Sequence, residues 1–213
     1  LNVLIGPNGA GKSNLIEVIS LLQSAPRDLF APVRNTGGAA EWIWKGSAES
    51  KSAEIETVAG SDFPGPFRHR LSFAGTARPH VTEEIVEDAA DSSEGYYSFR
   101  NGKAKISESG NWVEVPPDEH RSALGRPDHF AIRELSDAYS RIRIYRDWGL
   151  GRGAAPRRPQ PTDLLGDFLD EDASNLSLVL NDLEHRNGIR SALVDQIRNA
   201  DSTISSCSRP ARG

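Results

Sequence analysis

The sequence predicts an α/β fold in which a short buried strand runs through a glycine loop into a helix, and an antiparallel β block follows. Three observations predict it. Val3, Leu4 and Ile5 form an apolar, β-branched run directly before the glycine-rich stretch at residues 6–13. Leu15, Val18, Ile19 and Leu22 then fall at i, i+3, i+4 and i+7, one face of a helix. Further on, residues 53–58 and 67–74 alternate apolar with polar side chains, the period of a half-buried strand.

Taken in order, the opening strand covers residues 2–5 and the first helix starts near Lys12. Residues 25–40, with Pro26, Pro32 and Gly37-Gly38, read as loop. Trp42-Ile43-Trp44 is a short aromatic patch. Strands are then expected at 53–58 and at 67–74, with Phe67, His69, Leu71 and Phe73 on one side. Shorter ones are expected at 81–88, 96–100 and 112–115. Asn101-Gly102 joins residues 96–100 to 103–106 as a hairpin signal. The block reads as an antiparallel meander with one wet face. Residues 129–139 look helical and residues 142–145 look like a strand. Residues 149–161, with Pro156, Pro159, Pro161 and three glycines, read as loop. Leu176, Val179, Leu180 and Leu183 repeat a helix face, with Ser174 or Asp172 as its cap. Gly188 separates it from a last helix carrying Ile189, Leu193 and Ile197. Residues 201–213 have no pattern and are expected to be a disordered tail.

The chemistry concentrates in residues 6–13, Gly-Pro-Asn-Gly-Ala-Gly-Lys-Ser, which fit the Walker A pattern G-x-x-x-x-G-K-[ST] with Gly6, Gly11, Lys12 and Ser13 at its fixed positions. Strand, loop and helix are the context that pattern requires. Gly6, Gly9 and Gly11 permit backbone angles closed to other residues and let phosphate oxygens approach the main chain. The N–H groups of Gly9, Ala10, Gly11 and Lys12 can converge on an anion. The following helix adds the positive end of its dipole. Lys12 is placed to reach β- and γ-phosphate oxygens, and the Ser13 hydroxyl to ligate Mg²⁺.

Composition sets the outer limits. The 213 residues are 37% hydrophobic and 26% charged, which fits a globular chain of one domain or slightly more. No apolar run approaches the roughly 18 residues needed to cross a membrane. The single cysteine, Cys207, excludes an internal disulfide and fits a reducing, cytoplasmic setting. His69, His80, His120, His129 and His185 lack metal-ligand spacing and read as surface residues. The net charge of −5 excludes a polycation that coats nucleic acid. Charge is nonetheless segregated. Residues 83–94 hold six acidic groups and residues 141–158 six arginines, each read first as a solvated face. Contact of the arginines with a nucleic-acid backbone is the second reading.

The string GPNGAGKSNLIEVI resembles the RecF, SMC and related ABC-type ATPases, where Asn commonly follows the Lys-Ser pair. RIRIYRDWGLG, RRPQPTDLL and SNLSLVLNDLEHR are similar to the predicted ATPases of the AAA group near RecF and the OLD proteins. The resemblance runs over most of residues 1–200. It implies an ABC-type head, a P-loop core with an inserted antiparallel β subdomain, that dimerises head to tail around two ATP molecules. It also implies phosphate and Mg²⁺ contacts for Asn8, Gly9, Ala10, Gly11, Lys12 and Ser13, and a place near the α-phosphate for Asn14. DNA is a candidate partner. Gln23 sits too early for the Q-loop residue, which stays unassigned.

Hydrolysis in such heads also needs a signature motif and an apolar Walker B strand ending in Asp-Glu. Leu135-Ser136-Asp137-Ala138 lacks the signature's glycine, and residues 141–147 alternate Arg with Ile where a central strand is continuously apolar. Residues 178–182 have helical spacing and read as a helix on the core. The catalytic residues therefore stay unknown. The expectation is an N-terminal portion of such a domain over residues 1–200, its second half lying downstream. The absence of methionine suggests that the natural chain extends upstream. Such a portion alone is expected to be poorly stable, to bind ATP weakly and not to turn it over.

Two functions compete: an ATPase driving a conformational cycle on DNA or a partner protein, and a regulatory module in which ATP is a dimerisation ligand. A small-molecule or nucleotide kinase would use the same loop, but the long antiparallel block after the first helix argues against it.

Overall fold

The computed structural model describes residues 4–43, 52–59, 65–75, 78–91, 95–146, 149, 151–159, 168–185 and 195. The chain divides into two compact units, Leu1–Ile142 and Arg143–Gly213.

The first unit is built on a six-stranded sheet in the order β1-β2-β3-β4-β5-β6. The strands are β1 (Ser52–Ala59), β2 (Phe67–Ala74), β3 (His80–Asp88), β4 (Gly95–Arg100), β5 (Lys103–Glu108) and β6 (Asn111–Val115). Every neighbouring pair is antiparallel, so the expected meander forms. Asn101 and Gly102 join β4 to β5 with φ of 52° and 71°. Two positive φ values in a two-residue loop are what matches the twist of the flanking strands.

The two faces of this sheet obey different physics. The inner face presents Ile55, Phe67, Leu71, Phe73, Val86 and Phe99, all in one buried apolar cluster with residues of the helices. Phe30 and Trp42 both meet Phe73 edge-on, at centroid distances of 5.7 and 6.1 Å. The outer face carries charge in columns: Glu54 and Glu56 on β1, Arg68 and Arg70 on β2, Glu83 and Glu87 on β3. Arg100 on β4 lies opposite Glu83. Opposite charges therefore face each other across strands, which favours this register over a slipped one.

Helices α1 (Lys12–Asp28), α2 (Ala31–Asn35), α3 (Ala39–Trp42) and α4 (Phe130–Ser140) complete the unit, with a 3₁₀ turn at Ala123–Gly125. The buried stripe of α1 is Leu21, Leu22 and Ala25, continued by Leu29, with Val18 packed beside it. Leu15, placed on the buried face by periodicity, is 48% exposed. Residues 25–40 are not a loop. Pro26 lies inside the last turn of α1, and Pro32 lies in the first turn of α2, where its missing N–H has no helical partner to lose. Phe30, Val33 and Ala39 are buried, so these short helices supply core side chains that a solvated loop could not. Leu29 and Phe30 separate α1 from α2, and Thr36, Gly37 and Gly38 separate α2 from α3.

The opening strand is the other departure. Residues 2 and 3 of the expected strand lie outside the described residues; Leu4 and Ile5 belong to no ladder and are 61% and 88% exposed, and every ladder among the described residues is antiparallel. Residues 142–146 are also not a strand. Ile142 is held by Gln23, whose Nε2 donates to its carbonyl at 3.0 Å.

In the second unit, a 3₁₀ turn spans Ala155–Arg157 and α5 spans Leu176–His185. Neither Ser174 nor Asp172 caps α5. The buried Asn175 precedes it, and its carbonyl accepts from the Val179 N–H at 3.1 Å. Its side chain reaches back to the Phe168 carbonyl and the Asp170 N–H, each at 2.8 Å. Asp172 instead accepts from the Ser174 N–H at 2.9 Å, a contact that holds its carboxyl below the ordinary range. The Ile144 N–H donates to Glu171 at 2.7 Å and the Tyr145 hydroxyl to the Leu169 carbonyl at 3.0 Å, side-chain partners where strand partners were expected. The expected last helix and tail lie outside the described residues, Asp195 excepted. No helix among the described residues is long and apolar enough to cross a membrane.

Candidate functional site

Residues 6–13 wrap into a tight loop that feeds α1. The Ala10 N–H donates to the Pro7 carbonyl at 3.3 Å, which turns the chain. Gly9 and Gly11 both take φ of 82°, the left-handed region that a side chain disfavours. An added Cβ at either would meet nothing within 4 Å, so it is the backbone angle and not crowding that calls for glycine. Gly11 is the residue before α1 and offers no side-chain cap.

The polar groups of this loop are arranged for an anion. Among the described residues, the N–H groups of Gly9, Gly11, Lys12 and Ser13 donate to no protein acceptor. They stand at the positive end of a 17-residue helix. The Lys12 ammonium bends back over the loop and donates to the carbonyls of Gly6 and Pro7, each at 2.7 Å. An ammonium has three donors, so one is left beside the open amides. The Ser13 hydroxyl has no hydrogen-bond partner among the described residues, which leaves it open for a hard cation. These residues therefore fit a Mg²⁺-bound phosphate chain: main-chain donors, one cation and one uncommitted hydroxyl. Asn8 and Asn14 are exposed, and their side chains have no hydrogen-bond partner among the described residues.

The other sequence candidates fall in other elements. Residues 135–138 lie inside α4, with Leu135 and Ser136 buried. Residues 178–182 lie inside α5, as their spacing implies. The six arginines of 141–158 are exposed.

A second polar centre lies in the core of the first unit and was not legible as one in the sequence. His69 and Glu84 are each 1% exposed. His69 Nε2 lies 3.1 Å from Glu84 Oε1, and its Nδ1 lies 3.1 Å from the Tyr139 hydroxyl. That hydroxyl lies 2.6 Å from Thr57 Oγ1. The Ser122 hydroxyl donates to Glu84 Oε1, and the Ala123 N–H donates to Glu84 Oε2 at 2.8 Å. One assignment satisfies every group: Thr57 donates to Tyr139, Tyr139 to His69, and His69, as the Nε2–H tautomer, to Glu84. Burial pushes the Tyr139 phenol up to about 12, against a lowering by the Thr57 hydrogen bond. The expectation of a surface His69 is thus corrected, and so is that of a wholly solvated acidic run, since Glu84 and Glu87 are both buried. The signal for His69 was its place between Phe67 and Leu71 on the apolar side of β2. His129 also has a structural post: its Nδ1 accepts from the Ala131 N–H at 3.2 Å and caps α4.

The family described as "AAA domain, putative AbiEii toxin, Type IV TA system" matches residues 1–206. No curated protein matches the chain, and no solved structure matches it.

Proposed function

The chain belongs to this AAA-domain family, and on that premise we propose that it binds Mg-ATP through residues 6–13. The observation that carries the proposal is the row of open amides at Gly9, Gly11, Lys12 and Ser13, at the head of α1 and beside the Lys12 ammonium. Such a row is costly to leave unpaired unless water or an anion meets it. Lys12, which donates to the Gly6 and Pro7 carbonyls, would hold the phosphate oxygens, and the Ser13 hydroxyl would hold the metal. Mg²⁺, when bound, would supply neutralisation of the phosphate charge.

The resemblance to RecF and SMC heads supports the finer reading, in which two such chains close head to tail on two ATP molecules and act on DNA or a partner protein. The alternative is a module that dimerises on ATP without hydrolysing it. Residues 135–138 and 178–182 are helical, so neither supplies a signature or a Walker B strand among the described residues.

Titration with Mg-ATP in a calorimeter tests the shared part. Saturable heat that Lys12→Ala weakens about tenfold or more supports it, and no heat, or heat indifferent to that change, overturns it. ATP-dependent dimerisation with phosphate release selects the first reading, and dimerisation without release selects the second.

A further inference from the structure

We propose that the slot between the β4–β6 end of the sheet and residues 116–132 binds a flat, single-ring molecule that offers a hydrogen-bond acceptor to the Tyr97 hydroxyl. This proposal is independent of the nucleotide reading.

The slot has a volume of about 180 Å³. Ile106 and Val115 of the sheet line one side, and Pro116 and Ile132 also line it. Apolar walls from a sheet and a helix suit a flat body. Cavities of about 150 Å³ admit benzene, so the size suits one ring and little more.

The polar groups select within that class. Tyr97 is 9% exposed, yet its hydroxyl has no hydrogen-bond partner among the described residues. The hydroxyl is not sealed off from solvent, so a water or a ligand acceptor in the slot can meet it. Burial first, and the Glu84 carboxylate second, raise the phenol above its ordinary value, so it remains a donor at neutral pH. The neighbouring Ser122 hydroxyl is already committed to Glu84 and to the Leu124 N–H. Tyr97 is therefore the donor left to read a ligand in the depth of the slot. At its rim Arg126 is paired with Asp118 at 3.0 Å, whereas Arg121 and Asp128 form no ion pair among the described residues and leave the mouth polar. One water would satisfy the phenol, but it would fill only about 30 Å³ of an apolar-walled space.

The slot also stands apart from the phosphate loop. Gly125 abuts the carbonyl of Pro26 in the last turn of α1, where an added Cβ would lie 3.6 Å from the oxygen. The phosphate loop precedes the first turn of that helix, about 20 Å away along its axis.

The test is ligand-observed NMR with nicotinamide, benzamide and uracil as acceptor-bearing rings and toluene as a ring without an acceptor. It is run on the full chain and on Tyr97→Phe and Val115→Phe. Tyr97→Phe keeps the ring and removes an unpaired hydroxyl, so the fold is retained. The expected result is saturable binding of at least one acceptor-bearing ring, weakened about tenfold or more by Tyr97→Phe and lost when Val115→Phe fills the slot. Toluene is expected to be indifferent to Tyr97→Phe. Failure of every acceptor-bearing ring to bind the wild-type chain overturns the proposal, as does equal binding by Tyr97→Phe.

Discussion

The Lys12 ammonium donates to the Gly6 carbonyl at 2.7 Å, closing the loop that begins at one residue and ends at the other. A phosphate entering the loop must compete with that carbonyl, and it does so with formal negative charge. Lys12→Ala is expected to weaken Mg-ATP binding about 10- to 150-fold, the value of a hydrogen bond to a charged group. The Lys12 contacts are exposed, so unfolding in urea should shift by less than about 1 kcal/mol. Calorimetry and urea unfolding of the same samples separate the two effects.

The His69–Glu84 pair should behave as a unit of stability. Glu84→Ala removes the acceptor for His69, Ser122 and the Ala123 N–H together. It is expected to cost about 3–5 kcal/mol, in the range of a broken buried pair. Tyr139→Phe leaves Thr57 and His69 Nδ1 without their shared partner and is expected to cost about 1–3 kcal/mol. Chemical denaturation reads both. A cost below 1 kcal/mol for Glu84→Ala would mean that the network does not hold the sheet to the Ala123–Gly125 turn.

Two groups give the stability curve opposite slopes at its two ends. Burial lowers the pKa of His129 in the fold, and the neutral ring's Nδ1 caps α4. The unfolded chain therefore binds a proton more readily, and stability falls as pH drops below about 6.5. His129→Asn keeps a capping acceptor and should flatten that slope. Tyr139 is raised to about 12, so its contribution is complete below the unfolded value near 10 and is lost as pH climbs toward 12. Tyr139→Phe should make the alkaline slope shallower, the remainder belonging to Tyr97, whose phenol burial also raises. Thermal midpoints measured across pH 5–12 check both signs.

On the outer face of the sheet, burial should rank the ion pairs. Glu87 is 5% exposed and meets Arg70 at 2.8 Å and Arg68 at 3.5 Å. Glu83 and Arg100 form a pair whose side chains are 36% and 54% exposed. Glu87→Ala is expected to cost about 2–4 kcal/mol, and Glu83→Ala about 0.2–1 kcal/mol. Urea unfolding at low and high salt tests the ranking, since only the exposed pair should respond strongly to salt. Equal costs would contradict it.

The sequence by itself determined what a few neighbouring residues can decide. Asn101-Gly102 specified a tight hairpin because its backbone angles suit those two residues. Phe67, His69, Leu71 and Phe73 declared one face of β2 by strict alternation. Residues 6–13 declared a tight glycine loop leading into a helix, and Gly9 and Gly11 at positive φ and the start of α1 at Lys12 bear that out.

Tertiary structure alone decided which of several apolar patterns is buried. Leu15 and Leu21 are equally apolar, yet only Leu21 meets the core, because the head of α1 extends past the elements that cover its later turns. Pro26 and Pro32 read as breakers until Phe30 and Val33 supplied the burial that outweighs them. Glu84 was the least legible. A register shift between Ser72 and Phe73 changes the parity of β3 and places Glu84 inward with Val81, leaving Glu83 and Ile85 on the other face. A bulge and a distant serine are not local properties, so no window of sequence around Glu84 contains the partners that make its burial tolerable.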